Sequence, residues 1–123
     1  MSYEIRTSEN GRYIICRVTQ SITVELAREF TIALDQLSRS QRIKRFLVDV
    51  RGAPNVASVF QNFDFANKDM ADLDLQRDVR SAILVGANDR SHDFVETVTQ
   101  NAGYGVRVFD DEAAAIAWLE ALT

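Results

Sequence analysis

The sequence predicts an α/β fold: a mostly parallel five-stranded sheet with an opening β-hairpin and four main helices, in the order ββαβαβαβα. Three observations lead there. Short alternating or compact apolar runs, which read as strands, take turns along the chain with longer segments whose apolar residues recur every three or four positions. Such alternation favours parallel strands joined by right-handed crossovers. The first two extended runs are separated only by a short turn around Asn10-Gly11, which makes one pair antiparallel. At 123 residues the chain has material for one core rather than two, and no Pro/Gly/Ser-rich linker, repeat or low-complexity tract divides it. Residues 1–123 therefore read as a single domain.

Taken in order, Tyr3 to Ser8 and Arg12 to Thr19 form the hairpin, with Asn10-Gly11 supplying positive φ angles at its tip. Leu26, Phe30, Ala33, Leu34 and Leu37 then mark a helix over residues 23–39, with Thr23 as N-cap and Glu25 in the first turn, where the helix dipole favours an anion. Phe46, Val48 and Val50 alternate with Leu47, Asp49 and Arg51 as a strand, which Gly52-Ala53-Pro54-Asn55 breaks. From Ser58, a second helix carries Val59, Phe60, Phe63, Ala66, Met70 and Leu73, with a suspect stretch at Asp64-Phe65-Ala66-Asn67. Ser81 to Gly86 is a compact apolar strand, and Phe94, Val95, Val98 and Ala102 mark a third helix that ends at Gly103 and Gly105. Val106 to Phe109 is the last strand. Asp110-Asp111-Glu112 caps a final helix bearing Ile116, Trp118, Leu119 and Leu122.

Composition bounds function more by exclusion. Hydrophobic residues at 46% and charged residues at 26% are those of an ordinary globular chain. A net charge of −4 has the wrong sign for a protein that neutralises phosphates, so nucleic acid is not an expected partner. No apolar run reaches the ~20 residues of a membrane span, and the polar start lacks a secretory apolar stretch, so a cytoplasmic address is expected. Cys16, the single cysteine, has no internal partner and shares a strand face with Ile14 and Val18, which predicts a buried thiol.

Loops that follow parallel strands are where α/β folds usually place function. In the first, Asp49, Arg51 and Asn55 precede Ser58, a helix N-cap by position and a surface hydroxyl where a phosphate would meet unpaired amides and the Arg51 guanidinium. In the second, Asp89, Ser91 and His92 surround the chain's one histidine. Capping of the next helix by Asp89 or Ser91 is the simpler reading, because no nucleophile, oriented base and pocket are visible together; the cluster is a candidate binding loop with no catalytic residue assigned. Neither HExxH nor EF-hand spacing is present, so no metal is expected, and without GxGxxG, a Walker lysine loop or GxSxG no cofactor is expected either. The third loop, Gln100 to Gly105, has the form of a helix C-cap. Phe60, Phe63 and Phe65 are read as core packing or, alternatively, as an apolar groove or dimer surface.

Read together, Phe46-Leu47-Val48-Asp49-Val50-Arg51-Gly52, Ser91 through Thr97, and Asn101-Ala102-Gly103 through Val106-Arg107-Val108-Phe109-Asp110 to Ala117-Trp118-Leu119 resemble the SpoIIAA-like family of small bacterial STAS-type domains. The resemblance implies a right-handed superhelix of βα units. Its relatives include anti-sigma-factor antagonists that switch partners when a serine at the start of the helix after the central strand is phosphorylated, and matching Leu47-Val48-Asp49-Val50 places Ser58 near that serine. Here Ala57 precedes Ser58 and Val59-Phe60 follow it, where the antagonists carry an acidic neighbour and a glycine.

The expected function is a non-enzymatic, STAS-like regulatory or protein-interaction module, with a protein partner, compatible with a homo-oligomer and with phosphorylation at Ser58. The alternative is a carrier or sensor of a small anionic or lipid-like ligand, its apolar part near Phe60, Phe63 and Phe65 and its anionic part at the amides near Ser58 or Ser91.

Overall fold

The structure, a computed structural model, describes residues 2–121. Five strands, β1 (Tyr3–Thr7), β2 (Ile14–Val18), β3 (Arg45–Asp49), β4 (Arg80–Leu84) and β5 (Gly105–Phe109), make one sheet in the order β1-β2-β3-β4-β5. β1 and β2 are antiparallel, and every later pairing is parallel. From β2 to β5 the chain steps across the sheet in one direction, so right-handed crossovers place their helices on the same face. These are α1 (Val24–Gln41), the segment from α2 (Val59–Asp64) to α3 (Met70–Asp72), and α4 (Asp93–Asn101). The last helix, α5 (Glu112–Glu120), leads to no further strand and covers the opposite face.

Strand alternation divides the core accordingly. Ile14, Cys16 and Val18 of β2 and Phe46 and Val48 of β3 pack with Leu26, Phe30 and Leu34 of α1. Their neighbours Leu47, Ala82 and Leu84 point the other way, against Ala115 and Leu119 of α5. Cys16 is fully buried, as expected from its place between Ile14 and Val18, and burial pushes its thiol pKa up to about 12.

The hairpin tip is wider than the two-residue turn expected from Asn10-Gly11. Thr7 and Ile14 are the last paired residues, and a turn closed by Gly11 N–H to the Ser8 carbonyl (3.0 Å) occupies the tip. Only Gly11 is left-handed there (φ 71°). Asn10 instead accepts the Arg12 amide at 3.0 Å and the Ser8 hydroxyl at 2.7 Å through its carboxamide oxygen, a local alternative to the doubly left-handed turn.

The helix ends follow their cap residues. Thr23 accepts the Leu26 amide, and Asp111 accepts the Ala114 amide. After α4, Gly103 (φ 94°) allows its own amide to reach the Gln100 carbonyl and the Tyr104 amide to reach that of Thr99, the paired bonds of a Schellman end. Arg45 and Arg80 donate to the carbonyls of Leu119 and Trp118 at the end of α5. Leu122, assigned to this helix from its sequence spacing, lies outside the described residues.

Between α2 and α3 the helix widens into a π-turn, Phe65–Asp69, in which the Met70 amide donates to the Phe65 carbonyl five residues back. In a continuous α-helix Phe63, seven residues before Met70, would share its face. The extra residue in the turn brings Phe65 over Met70 instead. Phe65 and Met70 are buried together with Tyr104 and Val106, while Phe60 and Phe63 are 72% and 50% exposed. Core packing of Phe60 and Phe63 is thereby corrected, and the suspect stretch around residues 64–67 coincides with the cause.

Candidate functional site

β3 runs into the loop that carries most of the candidate residues. Gly52 (φ 79°) turns the chain, and Ala53, fully buried, donates to the Val50 carbonyl. The segment is then pinned beside the entrance to α1: Ile22 N–H donates to Pro54 O at 2.8 Å, and Val56 N–H to Ile22 O at 2.9 Å. Asn55 ties three pieces together. Its amide N–H donates to Ser91 Oγ at 2.9 Å, its Oδ1 accepts the Ala57 amide at 2.9 Å, and its Nδ2 donates to Asn62 Oδ1 at 3.1 Å. Ser58 then opens α2 in a reciprocal capping box with Gln61, each side chain meeting the other's backbone N–H. The Ser58 side chain is exposed.

The second loop does not cap α4 as expected. Residue 92, His92, occupies the cap position and makes no side-chain cap bond. Asp89 Oδ1 accepts the Ser91 amide (2.9 Å) and hydroxyl (2.6 Å), closing a turn within the loop and leaving Ser91 Oγ to accept the Asn55 amide. His92 is buried, and its Nε2–H donates to the Ala53 carbonyl at 3.1 Å, with Asp89 Oδ2 at 3.7 Å. Burial lowers the His92 pKa, opposed by the Ala53 carbonyl and by Asp89 and Asp93, so the ring is neutral at pH 7. This arrangement is not a nucleophile–base relay: the hydroxyl of Ser91 is held by a carboxylate, and the protonated nitrogen of His92 is held by a backbone carbonyl. It is a clasp between the loops after β3 and β4.

Asp49 and Arg51 belong elsewhere. Strand alternation turns Asp49 to the α5 face, where Arg51 donates to both its oxygens, at 3.0 and 2.8 Å, and to Glu112 at 3.1 Å. Burial acts to raise the Asp49 pKa, but the side-chain and backbone hydrogen bonds of Arg51 outweigh it and hold the carboxyl below its usual range. The guanidinium expected to serve a Ser58 phosphate is thus engaged by two carboxylates. With Arg6 and Arg17, these residues line a mixed-charge recess of about 540 Å³ on the open part of the α5 face.

Nor do the three aromatics form one groove. Phe65 lines an apolar cavity of about 150 Å³ between the sheet and the three crossovers, whereas Phe60 and Phe63 face outward. With Val56 (56% exposed) and Val59 (64% exposed), they form the exposed large apolar residues of the described chain. Val56, Val59 and Asn62 were not singled out as site residues; the Ser58-x-x-Gln61 capping box was the available signal, since it sets which residues of α2 follow the cap. Among the described residues, no three His, Cys, Asp or Glu side chains converge on a metal position, and no helix is long and apolar enough to cross a membrane.

A five-stranded sheet in chain order, parallel after one opening hairpin and covered by helices on both faces, makes this an α/β domain. The chain belongs to the SpoIIAA-like family, whose model matches residues 13–120. In structure it is similar to an uncharacterised protein of the DUF3478 family with a SpoIIAA-like fold from Shewanella loihica PV-4, at 19% identity and a TM-score of 0.58, covering 95% of this chain and 91% of that one. A search of curated proteins returned no match.

Proposed function

We propose that this SpoIIAA-like domain is a regulatory protein-interaction module that docks a protein partner on the exposed start of α2. One observation carries the reading: Val56, Val59, Phe60 and Phe63 project apolar side chains into solvent around the exposed Ser58. Contiguous exposed apolar residues on a soluble domain mark interaction surfaces, and aromatic side chains supply much of the binding energy when a partner covers them. Membership of the SpoIIAA-like family supports a regulatory role of this kind.

Phosphorylation of Ser58 would act on that surface directly. It would place about 1.5 to 2 negative charges amid the apolar residues, disfavouring an apolar partner face, while its oxygens remain at the first turn of α2. The test is affinity capture from the native host with wild type, Phe60→Ser/Phe63→Ser, Ser58→Ala and Ser58→Glu, each checked for a cooperative melting transition well above the capture temperature. A partner held by wild type and Ser58→Ala and lost from the other two is the expected result. The same proteins captured by all four variants would reject the docking face.

The carrier alternative keeps Phe65 of its three aromatics and draws on the apolar pocket between the sheet and the crossovers rather than on the exposed face of Phe60 and Phe63.

A further inference from the structure

The partly open apolar pocket lined by Phe65 has a chemistry of its own. Val48, Ile83 and Val106 of the sheet, Phe30 and Leu34 of α1, and Phe65 of the π-turn give it an apolar lining. At about 150 Å³, an apolar cavity of this kind admits a benzene-sized molecule. No lysine or arginine lines it, and its one carboxylate, Asp35, is already bonded to Arg39 and Gln76. An anionic ligand would therefore be buried without a counter-charge, which is costly.

Three buried polar side chains border the same space, Asn62 (7% exposed), His92 (3% exposed) and Thr99, whose hydroxyl already donates to the Val95 and Glu96 carbonyls of its own helix. Asn55 fixes the orientation of Asn62. Because Asn55 Oδ1 accepts the Ala57 amide, its Nδ2 is the donor to Asn62, so the atom facing it is Asn62 Oδ1. Among the described residues Asn62 Nδ2 meets no acceptor and is left with two hydrogens. Among the described residues no fully occluded side-chain nitrogen or oxygen lacks a partner, so Nδ2 is an atom that a water-sized sphere can touch. His92 donates through Nε2 to Ala53, which leaves Nδ1 as an acceptor.

We propose that this cavity binds a small neutral molecule, an aromatic or short aliphatic body of roughly six to ten non-hydrogen atoms bearing one hydroxyl, with Asn62 Nδ2 donating to that oxygen. This rests on the carrier alternative, whose anionic ligand it replaces by a neutral one, and it is independent of the docking face on α2.

The experiment is a titration of the methyl-labelled protein with phenol, toluene and benzoate, following the methyl signals of Val48, Ile83 and Val106 by NMR. Phenol and toluene are expected to shift these methyls saturably, and benzoate to bind at least about tenfold more weakly than phenol. In Asn62→Leu, phenol should lose roughly three- to tenfold in affinity, the range of one hydrogen bond, while toluene binds as well or better. No saturable shift with phenol or toluene would overturn both the carrier reading and the ligand class. Binding with benzoate equal to phenol, or with phenol unaffected by Asn62→Leu, would overturn the ligand class alone. Should Asn62→Leu fail to fold, NOEs between bound phenol and the Asn62 side-chain amide protons in wild type decide the same point, their absence counting against the assigned donor.

Discussion

His92 shows how a single residue can look like chemistry in the sequence and be architecture in the fold. Flanked by carboxylates and a serine, it has the composition of an acid–base cluster, but its Nε2–H holds the Ala53 carbonyl, and Ser91 closes the same junction through Asn55. Burial is the chief cause of its lowered pKa. The folded value therefore lies below the unfolded value of ~6.5, and the unfolded chain binds the extra proton as pH falls. The stability contributed by neutral His92 is fully present above pH ~6.5 and is lost as pH falls from there through the folded pKa. Urea midpoints measured between about pH 7 and pH 5.5 should decline in wild type and decline less in His92→Gln, in which no histidine remains. Parallel curves for the two proteins would remove His92 from the account. Cys16 illustrates the reverse case, since its neighbours Ile14 and Val18 were enough to foretell an inert, buried thiol.

At the scale of elements, the decisive feature is the π-turn. A helical wheel at 3.6 residues per turn groups Phe60, Phe63 and Met70, with Asp64-Phe65-Ala66-Asn67 the one stretch that casts doubt on an uninterrupted helix. One additional residue in the turn from Phe65 to Asp69 breaks the phase, burying Phe65 and turning Phe63 outward. Phe65→Ala should therefore destabilise the protein by about 3–5 kcal/mol, the cost of truncating a buried aromatic. Phe63→Ala should stay within about 0.5 kcal/mol of wild type, as an exposed substitution does. Chemical denaturation of the two variants measures both, and equal losses would mean that the helix keeps α-phase throughout. Caps were easier to anticipate. Thr23, Ser58 and Asp111 all accept the amide three residues on, because capping is decided within one turn of chain. Asp89 and Ser91 failed as caps because each had a competing bond, one of them to Asn55, a residue 36 positions away from Ser91 in sequence.

Over the whole molecule, the sheet order follows from handedness once the strands are parallel, and it generates two apolar layers of unequal extent. One lies beneath α1, the α2–α3 segment and α4; the other lies beneath α5 alone and leaves the β1–β2 end of that face open and charged. Because the strands belong to both layers, residues 1–123 are proposed to unfold as one cooperative domain. Trp118, the single tryptophan, sits in the α5 layer against Phe109, so its fluorescence reports that layer while far-UV dichroism reports all helices. The two urea transitions should coincide. A separate tryptophan transition would show that the α5 layer is an independent unit. The sequence by itself determined the element order, the parallel sheet with one hairpin, most helix caps and the burial of Cys16, because each depends on periodicity or on bonds a few residues long. Tertiary structure alone decided that Arg51 reaches Glu112, that His92 clasps Ala53, and that Asn62 and Phe65 line a pocket while Phe60 and Phe63 face solvent. Those outcomes depend on contacts between distant segments and on one helical turn of altered pitch, and a local pattern carries neither.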